Sequence, residues 1–272
     1  MKSVALGQYY SADSPIHKLD ARTKVILAIL YIVISFLCQN IISFALLLMS
    51  GIVAVLLSRI PIRVILNALK PILIIMLFTV IINVFMTTGE APLFEWKFIK
   101  IYKEGLYNAA FMAIRIVILI IGASVFLTYT TTPIHLTDAI ERLLKPLKKI
   151  KVPVHEFAMM MTIALRFIPT LVDETDKIMA AQKARGACFD SGNLVQRAKA
   201  LVPVLVPLFV SSFRRADELA TAMESRCYHG GDGRTKMTVT HMRFADIFAL
   251  IAMVVFGAAI VAVNFLNFGY SM

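Results

Sequence analysis

An all-α, polytopic integral membrane protein is the fold class this sequence predicts, and three observations predict it. The hydrophobic class takes 59% of the 272 residues and the mean hydropathy is +0.78, well above the apolar share of about 45–50% in soluble domains. The apolar residues gather in runs, and about 20 of them in a helix cross the hydrocarbon core. Charge is sparse, at 17% of residues, yet the formal net charge is +11 and sits largely between the runs. A basic balance alone suits nucleic acid, anionic lipid or an acidic partner. The apolar runs decide for the membrane and exclude a nucleic-acid-binding protein. The expectation is about five transmembrane helices and two long cytoplasmic helices.

The first span is expected from about Val25 to Cys38 and the second from Ile41 to Leu57, with only Gln39-Asn40 between them. Both are short, so they read as a tight helical hairpin with its polar tip at the far surface. A third span covers about Pro71 to Met86, and a fourth about Leu106 to Thr130 with one charge, Arg115. The fifth runs from Phe244 to about Phe265 with only Asp246 charged. The start, Met1-Lys2-Ser3-Val4, lacks a signal-peptide pattern, so the first span is expected to stay in the mature protein.

Basic residues orient these spans, because lysine and arginine are retained on the cytoplasmic side. Lys2, Lys18, Arg22 and Lys24 precede the first span, and Arg59, Arg63 and Lys70 lie between the second and third. Most of the remaining basic residues fall between Thr131 and Arg243. Opposite them, Lys97, Lys100 and Lys103 are offset by Glu90, Glu95 and Glu104. The N-terminus is therefore expected in the cytoplasm and the C-terminus outside. Residues 1–131 would hold the first four spans, 132–243 a cytoplasmic helical domain, and 244–272 the last span. Between about Thr87 and Gly105 an external loop is expected, with an interfacial aromatic belt of Phe94, Trp96, Phe98 and Tyr102. Arg115 has two readings: a costly buried charge with a function, or a cation near the external start of its span that snorkels to the interface.

In the cytoplasmic domain, Glu141-Arg142 and Lys145 through Lys151 form a basic stretch suited to an anionic lipid surface. Two helices follow, from about His155 to Lys183 and from about Leu194 to Arg226, separated by a turn at Phe189 to Asn193. Each has an apolar front half and a charged back half. The apolar parts, Phe157 to Leu165 and Leu201 to Val210, are too short for a secure span and read as helices lying at the membrane face. Asp173 with Lys177 and Arg214 with Glu218 stand one turn apart, a spacing worth roughly 0.2–0.5 kcal/mol per pair. Gly186 and Gly230-Gly231 are expected helix stops.

The most informative positions are Arg185, between Ala184 and Gly186, and Arg226, between Ser225 and Cys227. A cation at a helix C-terminus is ordinary, worth about 0.3–1 kcal/mol through the macrodipole. The repetition at two helix ends is not ordinary. An arginine between small residues can enter a pocket on another protein, where its planar fork bonds carboxylates or carbonyls. Two such tips suggest a two-point grip on a cytoplasmic partner.

The residues around these tips resemble a known family. Arg166-Phe167-Ile168-Pro169, leading to Ala181-Gln182-Lys183-Ala184-Arg185-Gly186, is similar to the first signature of the transmembrane T component of energy-coupling factor transporters. Pro207-Leu208-Phe209, Phe213-Arg214-Arg215-Ala216-Asp217-Glu218-Leu219 and Ala222-Met223-Glu224-Ser225-Arg226-Cys227-Tyr228 resemble the second, with Arg234-Thr235 after it. Ser14 to Lys24 is similar to that family's entry into its first span. The resemblance covers nearly the whole chain.

That resemblance implies a bacterial scaffold subunit rather than an enzyme. It implies two ABC-type ATPase partners and a substrate-binding membrane S component that carries a vitamin or other micronutrient. The two long helices would be coupling helices, with Arg185 and Arg226 as plugs in the ATPases and Ala184, Gly186, Ser225 and Cys227 as their small flanks. No cofactor is implied for the chain itself, because ATP would be bound by the partners. The usual second motif is Ala-Arg-Gly-like. Cys227 departs from it and lacks glycine's freedom at positive φ, so it is not an expected helix stop.

Other chemistries find less support. No Gly-x-x-x-x-Gly-Lys-Ser/Thr phosphate loop occurs, and Gly230-Gly231-Asp232-Gly233 lacks its lysine. Cys227 and His229 have no second ligand pair for a metal site. Cys38, Cys188 and Cys227 offer neither a disulfide framework nor a CxxC pair. Met159-Met160-Met161 reads as adaptable packing. The alternative class is a stand-alone membrane enzyme acting on a lipid or isoprenoid, with Asp173, Glu174 and Asp176 as its acidic candidates. The cargo, and whether the chain serves one S component or several, are not written in these residues.

Overall fold

In a computed structural model, described for residues 9–87, 92–96, 99–189, 193–230 and 241–265, the chain is dominated by eight α-helices. These are α1 (Ala21–Leu37), α2 (Ile41–Ser58), α3 (Ile62–Met86), α4 (Lys103–Ala123), α5 (Pro133–Leu144), α6 (Val154–Ala184), α7 (Leu194–Ser225) and α8 (Phe244–Phe265). A π-helical turn, Ser124–Thr128, continues α4, and a 3-10 turn, Lys145–Ile150, continues α5. The expected external loop contains a short antiparallel hairpin, β1 (Pro92–Trp96) with β2 (Ile99–Tyr102), in which Trp96 faces Ile99. Phe98 lies outside the described residues. Two compact units divide the chain, one built on residues 7–139 and 240–272 and the other on residues 140–239.

Among the described residues, five helical segments are long and apolar enough to cross a membrane: α2, α3, α4 with its π turn, Val195–Ser225 of α7, and α8. Four of them match expected spans. The third span begins earlier than expected, because α3 continues through Pro71 back to Ile62. The expected first span, α1, has 17 residues and is about 26 Å long at 1.5 Å per residue. That is a few ångströms short of the ~30 Å hydrocarbon core.

The shortness of α1 explains two polar side chains in the membrane unit. Its last carbonyls would be left inside an apolar region, where each unsatisfied group is costly. Arg115 Nη2 donates to the Cys38 carbonyl at 3.0 Å, and Asn264 Nδ2 donates to the Leu37 carbonyl at 2.6 Å. The Arg115 guanidinium also lies 5.1 Å from the Phe44 ring centroid, and Ser43 Oγ donates to Asn264 Oδ1 at 2.8 Å. Arg115 is thus a cap for the α1–α2 hairpin rather than a cation reaching for the interface.

At the other end of α1 a second polar knot closes the unit. The Asp246 carboxylate accepts from the Asp20 backbone N–H at 2.8 Å and from the Arg243 N–H at 2.7 Å. Asp20 in turn caps α1 by accepting from the Arg22 N–H at 3.0 Å. Buried Lys24 donates to the carbonyls of Thr130, 2.7 Å away, and His17, 3.1 Å away. Between the two knots the core is apolar. Tyr31 of α1 is fully buried, its ring 5.9 Å from that of Phe126 and its hydroxyl donating to the Leu47 carbonyl at 3.3 Å. Outward-facing residues of α1 and α2, such as Ile29, Val33, Phe36, Ile52 and Leu56, are exposed and apolar, as a lipid-facing surface requires.

Candidate functional site

The second unit holds the two long helices, and their contacts fix an antiparallel pairing. Gln182 of α6 meets Pro203 of α7, and Glu174 meets Ser211 and Arg215. Ile163, Phe167 and Leu171 share a cavity of about 290 Å³ with Ala216, Leu219 and Met223. Positions rise along one helix as they fall along the other. The ion pair that forms is interhelical: Arg215 Nη2 lies 2.7 Å from Glu174 Oε2. Among the described residues the expected pairs Asp173–Lys177 and Arg214–Glu218 do not form, and the neighbours Glu174 and Arg215 pair across the two helices instead.

Pro203 and Pro207 lie inside α7 without ending it. A proline removes the N–H that would bond the carbonyl four residues earlier. For Pro207 that carbonyl belongs to Pro203, and Gln182 Nε2 donates to it from α6 at 3.3 Å. The prolines therefore open a bonding position that the partner helix fills. The start of α7 is fixed by a reciprocal capping box between Asn193 and Gln196. Asn-x-x-Gln before an apolar run was a readable signal for it.

The two helix ends are built alike. At the end of α6, Arg185 is the cap residue and Gly186 adopts φ +88°. The Gly186 N–H donates to the Lys183 carbonyl and the Ala187 N–H to the Gln182 carbonyl, both at 3.0 Å. At the end of α7, Arg226 is the cap residue and Cys227 adopts φ +55°. The Cys227 N–H donates to the Glu224 carbonyl at 2.8 Å and the Tyr228 N–H to the Met223 carbonyl at 3.1 Å. Each set of bonds is a complete Schellman closure. The helix ends at Arg226, as its predicted extent has it, but the left-handed stop residue is Cys227 and not the expected Gly230-Gly231, because the two closing bonds hold a non-glycine residue in that region. That region costs an ordinary residue about 1–2 kcal/mol. Cys227→Gly is accordingly expected to stabilise the last turn of α7 by about 1 kcal/mol. Slower amide exchange at Cys227 and Tyr228 would register it; unchanged exchange would show that the cysteine is not strained.

Ala184, Arg185 and Gly186 are exposed, as are Ser225, Arg226 and Cys227. Neither Arg185 nor Arg226 has a side-chain hydrogen bond or ion pair within the chain among the described residues. The two tips are not brought together. Arg185 lies 11 residues beyond Glu174, and Arg226 lies 15 beyond Ser211, in opposite directions. At 1.5 Å per residue the tips stand up to about 40 Å apart. Between them α7 presents an unpartnered apolar stripe, Leu201, Val202, Leu205, Val206, Phe209, Val210 and Phe213, all exposed. Its spacing is that of one helical face. Phe157, Met160 and Met161 add exposed apolar surface on α6.

Glu174, a candidate acid of the alternative enzyme, spends its carboxylate on Arg215 and Ser211. Cys188 and Cys227 are exposed thiols, three residues after Arg185 and one after Arg226.

Comparison with known proteins agrees with this architecture. Residues 12–237 match the family model CbiQ, described as a cobalt transport protein. The chain is 56% identical over 256 residues to the energy-coupling factor transporter transmembrane protein EcfT of Clostridium kluyveri, covering 94% of each. It is 52% identical to the protein of that name from Ruminiclostridium cellulolyticum, covering 98% of this chain and 100% of the relative. With the Bacillus subtilis protein of that name it shares 48% identity, covering 95% of this chain and 97% of the relative. Similarity of that extent carries the transporter character and the multi-pass membrane location as well as the fold, and the chain belongs to the EcfT (CbiQ) family of energy-coupling factor transporter transmembrane proteins.

Proposed function

We propose that this chain is the non-catalytic scaffold of an energy-coupling factor importer, linking two ABC-type ATPases to a substrate-binding S component. The observation that carries this reading is the pair of Schellman-closed, unpartnered arginines at opposite ends of one antiparallel helix pair. A separation of up to about 40 Å suits two separate docking grooves better than one. Helix closure fixes the backbone that carries each arginine, so the order lost on docking is confined to the side chain. ATP is bound and hydrolysed by the partners, and the chain itself needs no cofactor.

In this mechanism nucleotide binding and hydrolysis change the separation of the two ATPases, and Arg185 and Arg226 follow. The paired helices α6 and α7 then move as levers, held together by Glu174–Arg215 and Gln182–Pro203. The apolar stripe of α7 supplies the contact for the S component, which releases a vitamin or metal ion as it tilts. The exposed Met160 and Met161 suit a surface that repacks against different partners.

The topology that goes with this reading places α1, α2, α3, α4 and α8 across the bilayer. The N-terminus and the α5–α7 region are then cytoplasmic. The uncharged run of α7, Ala200–Phe213, has 14 residues, about 21 Å. It is bounded by Arg197 and Lys199 on one side and Arg214 and Arg215 on the other, whereas the charges of α1 lie only at its start. The α7 run therefore lies at the membrane face.

Native thiols allow a direct test. In membranes holding the intact complex, a short bifunctional thiol reagent at Cys227 is expected to capture an ATPase subunit, and one at Cys188 a second. Co-purification should return both ATPases and at least one further small membrane protein. If the chain purifies alone and both cysteines cross-link only to lipid-facing segments, the scaffold reading fails.

A further inference from the structure

The 3-10 turn after α5 is exposed and amphipathic, and the proposed coupling does not use it. Every residue from Leu144 to Pro153 is exposed, including Ile150 at 77%. The segment is nevertheless closed by its own bonds. Lys151 adopts φ +62°, its N–H donates to the Lys148 carbonyl at 3.0 Å, and the Val152 N–H donates to the Leu147 carbonyl at 3.4 Å.

A 3-10 helix has three residues per turn, so positions three apart eclipse on one edge. Leu144, Leu147 and Ile150 share that edge, while Lys145 and Lys148 share the next. Lys149 and Lys151 add further cations, and no acidic residue occurs between Leu144 and Pro153. Glu141, just upstream, is engaged by His155 Nδ1 at 3.0 Å. Lys145, Lys149 and Lys151 beside an exposed apolar edge make a surface with two demands, a diffuse negative charge and a place for hydrocarbon. An acidic protein or a nucleic acid meets only the first; the headgroup region of an anionic bilayer meets both.

We propose that the Leu144–Val152 segment is an anionic-lipid docking surface, with Leu144, Leu147 and Ile150 entering the headgroup boundary and Lys145, Lys149 and Lys151 pairing with lipid phosphates. It rests on the cytoplasmic placement of this region given above. Docking would give the lever helices, which begin at Val154, a fixed point on the membrane surface.

The test uses the full-length chain carrying Trp96→Phe and Ile150→Trp, which leaves position 150 as the only tryptophan. It is placed in nanodiscs of zwitterionic lipid, or of the same lipid mixed with phosphatidylglycerol, with brominated acyl chains as quenchers. Emission is expected to shift to the blue and be quenched in the anionic discs, and much less in the zwitterionic ones. Adding Lys145→Glu, Lys149→Glu and Lys151→Glu should reverse both changes, with docking weakened by about fivefold or more per lysine. Raising salt to about 1 M, where the Debye length is about 3 Å, should act in the same direction. Equal quenching in both lipids would overturn the proposal, as would no quenching in either. So would a blue shift that needs added ATPase and comes without lipid quenching, which assigns the surface to a protein partner. Labelling of Cys227 by an impermeant thiol reagent from each side of sealed vesicles tests the cytoplasmic placement separately, so the two failures are distinguishable.

Discussion

Replacing Arg185 and Arg226 together by alanine is expected to abolish ATP-driven uptake while leaving the chain folded and inserted. Both side chains are exposed and, among the described residues, make no hydrogen bond or ion pair, so their loss removes no such interaction there. The folding cost is the macrodipole contribution, about 0.3–1 kcal/mol each, and membrane levels should change little. The cost to assembly is larger. A docked arginine truncated to alanine loses about 2 kcal/mol or more, roughly thirtyfold in affinity per site, and two sites lose their advantage of acting together. Each single variant should therefore retain some coupled uptake and the double variant none. Lysine at either position keeps the charge but not the planar fork, so partial rescue is expected. Vesicle uptake assays with co-purification of the ATPases would measure this. Normal uptake by the double variant would remove the proposed role of both tips.

The largest effect on stability is expected at Gly122. A Cβ built there would lie 2.2 Å from Tyr31 Cε1 and 2.3 Å from Cδ1, well inside any tolerated contact. The ring cannot swing away, because its hydroxyl meets the Leu47 carbonyl and Gly51 of α2 approaches the same oxygen. Overpacking of this kind costs about 1–3 kcal/mol, and Gly122→Ala belongs at the upper end. A thermal midpoint lower by several degrees should appear in detergent. Tyr31→Leu should relieve part of the loss in the double variant, as coupling between touching residues requires. Simple additivity of the two variants would show that Gly122 and Tyr31 do not share this contact.

Much of this architecture was legible in the residues. The predicted helix of Leu194 to Arg226 ends within one residue of α7, and His155 to Lys183 lies one residue inside α6 at each end. Apolar runs and a helix period carry such information locally. That Cys227 would take the left-handed position after the end of α7 was not legible, since side-chain preference argues against it and the two closing bonds override that preference. Nor was it legible that Gln182 of α6 would meet the carbonyl that Pro207 frees inside α7, because that donor comes from another helix. The roles of Arg115, Lys24, Asn264 and Asp246 were beyond reach as well. Their partners lie 77, 106, 227 and 226 residues away in sequence.

By itself, then, the sequence determined the helices, the division between apolar and charged segments, and the presence of an arginine at each of two helix ends. These follow from local composition, which acts through the bilayer and the backbone without reference to distant residues. Only the tertiary structure decided that α6 and α7 run antiparallel and so point Arg185 and Arg226 in opposite directions. It also decided that a short α1 is completed by Arg115 and Asn264. Those outcomes depend on which donors and acceptors meet across the fold, and no local pattern records such meetings.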